Sequence, residues 1–274
     1  MLVGLRSRRQ IEPFSLHQPA TLAEALALYR GPGASALLAG GIDLIDWLKH
    51  GHAVDRLIRL DGLPELAAIT GGSDRLRIGA MATHAAIGDS PLIRDVLPDL
   101  STLWNKVANP RIRFAGTIGG NIMAKRSDYD GPPALLALAA EAEIATDAGT
   151  QRIALDRISD LVTAFVVPEP TSQRLFADRS LRPAVSLWIG MTVTGGQVSA
   201  MRVAVGMAHP TAVCVTLNPN VPVAVLGGQA ASIAEQVMRR LPEPMSDGRA
   251  SASYRRRMVG ELTRRILLRA GEGA

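Results

Sequence analysis

The sequence predicts an α+β fold in more than one unit, and three observations carry that prediction. The 274 residues are about twice the ~150 residues of a common domain. Apolar residues recur at helical spacing in some segments and form short strand-like runs in others. The organisation changes near residue 64, and Thr163 to Arg182 carries Pro168 and Pro170, with Pro183 next, which places a domain boundary there.

In chain order, Thr21 and Glu24 form a capping box before Leu22, Ala25, Leu26 and Tyr29, which share one helical face. Gly31-Pro32-Gly33 stops that helix. Ala36 to Ala39 reads as a buried strand running into Gly40-Gly41, with Asp43 as N-cap of a helix carrying Leu44, Trp47 and Leu48. Arg56 to Leu60 is a strand. Leu66 to Ile69 and Leu76 to Ile78 read as strands around a Gly71–Asp74 turn. A helix starts over Thr83 to Ile87, and Leu97 to Ala108 is a longer helical segment. Thr117 to Asn121 reads as a glycine-rich loop. Pro132-Pro133 opens a helix through Ala140, and Glu143 to Thr146 is a strand. Val185 to Val193 and Val198 to Val205 are strands around Thr194–Gln197. Ala230 to Leu241 is helical. Tyr254, Met258, Leu262 and Ile266 line one face of a last helix, with Arg255, Arg256, Arg264 and Arg265 mostly elsewhere.

Composition excludes several functions. The lone cysteine, Cys214, rules out an internal disulfide, an iron–sulfur cluster or a multi-cysteine zinc site held by this chain alone. It sits in an apolar run and reads as an inert buried thiol. Aromatic content of 4% argues against a stacking platform for single-stranded nucleic acid. The net charge of +5 reads as a solvated basic surface, so no nucleic-acid partner is expected. No apolar run reaches the ~18 residues of a membrane span. Ser7-Arg8-Arg9 resembles a twin-arginine export start, but Ile11 to His17 is mixed and contains Pro13, so a cytoplasmic location is expected. His50 and His52 have no third ligand nearby, and no metal site is expected.

Two glycine pairs could carry chemistry. In Leu37-Leu38-Ala39-Gly40-Gly41-Ile42-Asp43-Leu44 a strand ends and a helix begins, so free amides and the helix dipole favour an anion. Thr117-Ile118-Gly119-Gly120-Asn121 offers two glycine amides, a hydroxyl and a carboxamide. In isolation each reads more readily as a turn. Together they suit a pyrophosphate. Neither is G-x-G-x-x-G, and no Walker sequence occurs. No catalytic side-chain constellation is visible, which fits a reactive centre that is a bound cofactor.

With these motifs the chain resembles the FAD-binding medium subunit of molybdenum hydroxylases, the xanthine dehydrogenase and carbon monoxide dehydrogenase type. The resemblance runs from Pro13-Phe14-Ser15-Leu16-His17-Gln18-Pro19 through Ala39–Leu44, Asn109–Asn121 and Asp130 with Pro132–Leu138. It continues in Val205–Thr211 and Ser246–Arg256. It implies an α+β chain: two small α/β subdomains forming a PCMH-type FAD-binding domain, then a C-terminal α+β domain with an antiparallel sheet and helices. The expected divisions are a flexible arm over 1–12, subdomains over 13–63 and 64–167, and the last domain over 168–274. Leu37 to Leu44 and Thr117 to Asn121 would wrap the pyrophosphate and ribityl chain of FAD, Asp130 would bond a cofactor hydroxyl, and Val107 would touch the cofactor. No side chain is expected to be catalytic, since the flavin reacts. Valine at Gly119 or Gly120 is expected to cost FAD more than the fold.

The chain departs from the family at Ile42, where Ser or Thr is usual, at Lys125 and Arg126, where small residues are usual, and at Asp178, near which a lysine is usual. The resemblance further implies a small partner subunit with two [2Fe–2S] clusters and a large molybdenum-cofactor subunit, as a dimer of heterotrimers. Electrons would pass from the clusters through FAD to an external acceptor. A stand-alone flavin oxidoreductase and a FAD-free scaffold of the same fold remain as alternatives.

Overall fold

The computed structural model describes residues 11–178 and 184–272. Most of the arm expected over 1–12, including Ser7-Arg8-Arg9, lies outside the described residues, as does Pro183. The first unit contains β1 (Ser15–His17), α1 (Leu22–Arg30), β2 (Ser35–Leu38), α2 (Ile42–Lys49) and β3 (Arg56–Arg59). Its three strands are parallel, in order β1-β3-β2. Thr21 Oγ1 accepts the Glu24 amide at 3.2 Å, and the Glu24 carboxylate accepts the Ala20 amide at 2.8 Å, so the capping box fixes where α1 begins. Leu57 and Ile58 bury the two faces of the central strand β3. Asp43 is not the N-cap of α2. Gly41 is, with φ +70°, because a left-handed residue turns the chain there without a Cβ penalty.

The second unit contains β4 (Ile69–Gly71), β5 (Arg75–Gly79), α3 (His84–Asp89), α4 (Pro91–Val96), α5 (Pro98–Trp104), α6 (Pro110–Ala115), α7 (Ile118–Met123), α8 (Gly131–Ala137), β6 (Glu141–Thr146), β7 (Gly149–Ala154) and β8 (Val162–Pro168). Its sheet is antiparallel, in order β4-β5-β8-β6-β7. Three sequence readings change here. The strand read over Leu66 to Ile69 starts only at Ile69, with Leu66 closing a 3-10 turn (Pro64–Leu66), and the helix read over Leu97 to Ala108 is α5, which opens on Pro98 and ends at Trp104. The residues read as a domain boundary begin inside β8, buried from Val162 to Val167 and paired on both sides. A strand covered on both faces loses its alternation, so the proline at its end dominates the pattern. Arg30 of α1 pairs with Asp147, at 3.0 Å, and with Asp160, tying the first unit to the second.

The third unit contains β9 (Gln173–Asp178), β10 (Ser186–Thr194), β11 (Gln197–Gly206), β12 (Val213–Leu217), β13 (Val221–Pro222), α9 (Leu226–Arg240) and α10 (Ala252–Glu272). The strands form an antiparallel sheet, β12-β11-β10-β9, with β13 beside β11. Leu187, Ile189 and Met191 join α9 and α10 in one core, while Trp188 belongs to the core that contains α8. Arg255 is not on a solvated face. It is 1% exposed and donates to the carbonyls of Ala184 and Met245 and to Asp247, at 3.2, 2.7 and 2.7 Å. The bond from Arg255, with the backbone amides of Arg249 and Ala250, holds the Asp247 carboxyl down at about 2. Asp178 pairs with Arg269 of α10 at 3.1 Å.

Helix α8 lies directly on β10, where a Cβ on Gly190 would sit 1.9 Å from the Ala137 carbonyl oxygen. Gly190→Ala is expected to cost at least the ~1–3 kcal/mol of core overpacking, because a backbone carbonyl cannot rotate aside as a side chain can. Urea denaturation of the two proteins measures it; a change within about 0.5 kcal/mol refutes so tight a helix-on-sheet contact.

Candidate functional site

A cavity of about 970 Å³ lies between the first and second units, at the upper end of the ~300–1,000 Å³ range of small-molecule sites. From the first unit, Leu37 and the run Ala39, Gly40, Gly41, Ile42, Asp43 and Leu44 line it. From the second come Val107, Thr117, Gly120, Asn121 and Asp130. Leu38, Ile118 and Gly119 do not line it. Leu38 lies beneath Gly41, and Ile118 and Gly119 are buried in the second unit. Sequence reading missed His84, Ala108, Ile112, Met123 and Tyr129, which also line the cavity. Tyr129 stands next to Asp130, but no spacing rule marks it. His84 comes from a helix that sequence reading gave only a structural role.

The two glycine segments are not equivalent. At the start of α2 the amides of Gly41, Ile42 and Asp43 find no acceptor among the described residues, and no side chain caps the helix. Their N–H groups and the positive end of the helix dipole are left for an anion. The second segment is not a loop but the first turn of α7. There the Ile118 amide donates to the Ala82 carbonyl at 3.0 Å and the Gly119 amide to the Ala80 carbonyl at 2.8 Å. Thr117, the N-cap, accepts the Gly120 amide on Oγ1 at 3.1 Å. The amides expected to make a second cradle are therefore already used inside the protein. A Cβ on Gly119 would lie 2.7 Å from the Ala80 carbonyl oxygen, while one on Gly120 meets little besides Thr117 Oγ1 at 3.1 Å. Gly119 serves packing, contrary to the expectation that valine there would spare the fold.

Polar groups on the second unit face the cavity. Asn121 Oδ1 is buried with no partner in the protein, an acceptor awaiting a donor. Asp130 is 6% exposed. Across the cavity mouth the Tyr129 hydroxyl donates to Asp43 at 2.6 Å, and burial together with that bond raises the Tyr129 pKa. His84 is buried beside Trp104, ring centroids 5.7 Å apart, and desolvation pushes its pKa down to about 4. Cys214 lies away from this site, on β12, where burial pushes its thiol up to about 11 and keeps it protonated. Among the described residues no group of three or more metal-ligating side chains occurs. His52 instead stacks on Trp47 at 4.2 Å.

A two-unit cleft with an open helix N-terminus on one wall defines a class: a protein that holds an extended, phosphate-bearing cofactor between two α/β lobes. Residues 12–168 match the family described as the FAD binding domain in molybdopterin dehydrogenase, and the chain belongs to that family. It is a flavoprotein subunit of a molybdenum-containing oxidoreductase, and FAD is its cofactor. The carbon monoxide dehydrogenase medium chain of Afipia carboxidovorans is 28% identical over 94% of this chain and 96% of its own. The xanthine dehydrogenase FAD-binding subunit of Escherichia coli O157:H7 is 28% identical over 93% and 95%. Reconstituted CO dehydrogenase from Oligotropha carboxidovorans has a chain that superposes with a TM-score of 0.82 at 26% identity, covering 97% of this chain and 100% of that one. Among the described residues no helix is long and apolar enough to cross a membrane.

His84 gives the site a pH signature. Its folded pKa lies below the ordinary 6.5, so between those values the unfolded chain binds the extra proton and acid favours unfolding. The His84 contribution is complete above pH ~6.5 and is lost as pH falls to about 4, an effect of order 3 kcal/mol. His84→Gln in the FAD-free chain is expected to flatten the stability profile over that window. Unfolding free energies at pH 7 and pH 4.5 test this, and an unchanged slope refutes a buried neutral His84.

Proposed function

We propose that this chain holds FAD in the cavity between its first two units and relays electrons from [2Fe–2S] clusters on a small partner subunit to an external acceptor. A large subunit with a molybdenum cofactor would oxidise the substrate, in a cytoplasmic dimer of heterotrimers. The observation that carries the reading is the start of α2, where residues with unpaired amides line a cavity of about 970 Å³. FAD fits this lining. Gly40, Gly41, Ile42 and Asp43 would present N–H groups to the pyrophosphate, with Leu37, Ala39 and Leu44 beside them. Asn121 Oδ1, left without a partner, would accept from a cofactor hydroxyl or amide, as would Asp130, and Thr117 and Gly120 would complete that wall. Val107 would pack against the cofactor. Leu38, Ile118 and Gly119 would act from behind the wall. Ile42 brings no hydroxyl, so phosphate binding here rests on backbone donors; one neutral hydrogen bond is worth ~1 kcal/mol.

When bound, flavin accepts electrons singly and releases them in pairs. The protein's work is to seat it, exclude water and face a partner. With one cysteine, the chain cannot supply the clusters that the relay needs.

The purified chain is expected to be yellow and to release FAD, not FMN, on denaturation. Gly120→Val is expected to lose FAD while keeping a near-native melting temperature, whereas Gly119→Val is expected to lose stability first, through its clash with Ala80. Flavin content and thermal melts of both variants check this. A colourless chain that takes up no added FAD would refute the cofactor site. Purification from the native source with two other chains, iron and molybdenum supports the assembly, and recovery of the chain alone, active on a substrate without either metal, favours a stand-alone flavoenzyme.

A further inference from the structure

The open end of α2 carries a contradiction. The amides that would hold a pyrophosphate share their helical turn with the Asp43 side chain, and a carboxylate beside a phosphate is repulsive. The structure provides an answer from the opposite lobe. Tyr129 Oη donates to Asp43 Oδ1 at 2.6 Å. Arg126 places Nη1 3.9 Å from the same oxygen and its guanidinium carbon 5.1 Å from the Tyr129 ring centroid. Arg126 is itself fixed by two bonds to Asp128, at 3.1 and 3.0 Å. All four residues line the cavity, and they join positions 86 residues apart in the chain. A second polar tie between these lobes, Arg30 with Asp147 and Asp160, involves none of the cavity-lining residues.

We propose that Tyr129 and Arg126 are positioning residues for the dinucleotide, fastening the two lobes across the cavity mouth through Asp43 and offsetting part of the charge of the carboxylate that shares its turn with the phosphate cradle. This rests on the reading of the cavity as the FAD site. The hydroxyl of Tyr129 holds the Asp43 side chain toward the second unit and away from the amides of α2. The guanidinium, which also binds Asp128, offsets part of the Asp43 charge, and its stacking on Tyr129 braces the ring. Two features set this arrangement apart from general packing. It is polar and partly exposed, so it closes without burying a core, and its effect on an anion depends on charge rather than shape.

The test is the rate at which the full chain, loaded with FAD, releases it, read from the rise in flavin fluorescence after dilution. Tyr129→Phe keeps the ring and loses the bond, and release is expected to quicken about tenfold. Arg126→Ala is expected to quicken release in the wild-type background and to have little effect once Asp43→Asn has removed the charge it offsets. A purely structural role would leave the Arg126 effect equally large in both backgrounds. Unchanged release in Tyr129→Phe and Arg126→Ala, or an Arg126 effect independent of Asp43, overturns the proposal. Failure of the wild-type chain to bind FAD at all overturns instead the reading beneath it.

Discussion

The contact between α8 and the third sheet is the constraint on which the rest of the molecule depends. A helix buried between two sheets leaves no room for side chains on both surfaces at its closest approach, and here Gly190 gives way. With α8 seated, its core is shared: Ala134, Leu135 and Ala137 pack with Phe165 of β8 on one side and Trp188 of β10 on the other. The core of the second unit therefore reaches one face of the third sheet, while the other face packs a separate core with α9 and α10. The residues just before α8, Tyr129 and Asp130, inherit their positions from it and are held at the rim of the cleft.

The cleft wall follows from a second economy. The amides of Ile118 and Gly119 are spent on Ala82 and Ala80, which binds α7 to the chain leaving β5. The amides that remain available lie on the opposite lobe, at α2. One wall supplies shape and side-chain polarity, the other supplies backbone charge. This division explains how two similar glycine pairs come to play different parts: Gly41 provides a left-handed turn, while Gly119 permits close packing.

Much of this was legible in the sequence. Thr21 with Glu24 located α1, the Ala39–Leu44 run located the turn into α2 with its open amides, and the Thr194–Gln197 turn located the hairpin of β10 and β11. The failures have physical causes. β8 was hidden because burial on both faces erases alternation. β7 is exposed along most of its length, and an edge strand of that kind has no apolar pattern to find. Arg255 reads as a surface charge until its three partners, set by the tertiary fold, are known. Thr117 to Asn121 reads as a loop because two adjacent glycines disfavour helix, and the Thr117 cap and the donations to Ala80 and Ala82 override that preference. Tyr129 has meaning only against Asp43, a neighbour that no local pattern reveals.

The first unit is small, with three short parallel strands and a core centred on Leu48, Val54 and Leu57 on one face. A parallel sheet of that size is marginal without neighbours, and this one leans on the second unit through Leu161 and Ala145. It is also the unit that carries the open amides. A ligand bridging both lobes adds its binding free energy to the weaker one by mass action. On the proposed reading of the cleft, the lifetime of this chain in a cell would be coupled to flavin supply: with FAD scarce, the lobe that carries the open amides would be the first to open to proteolysis.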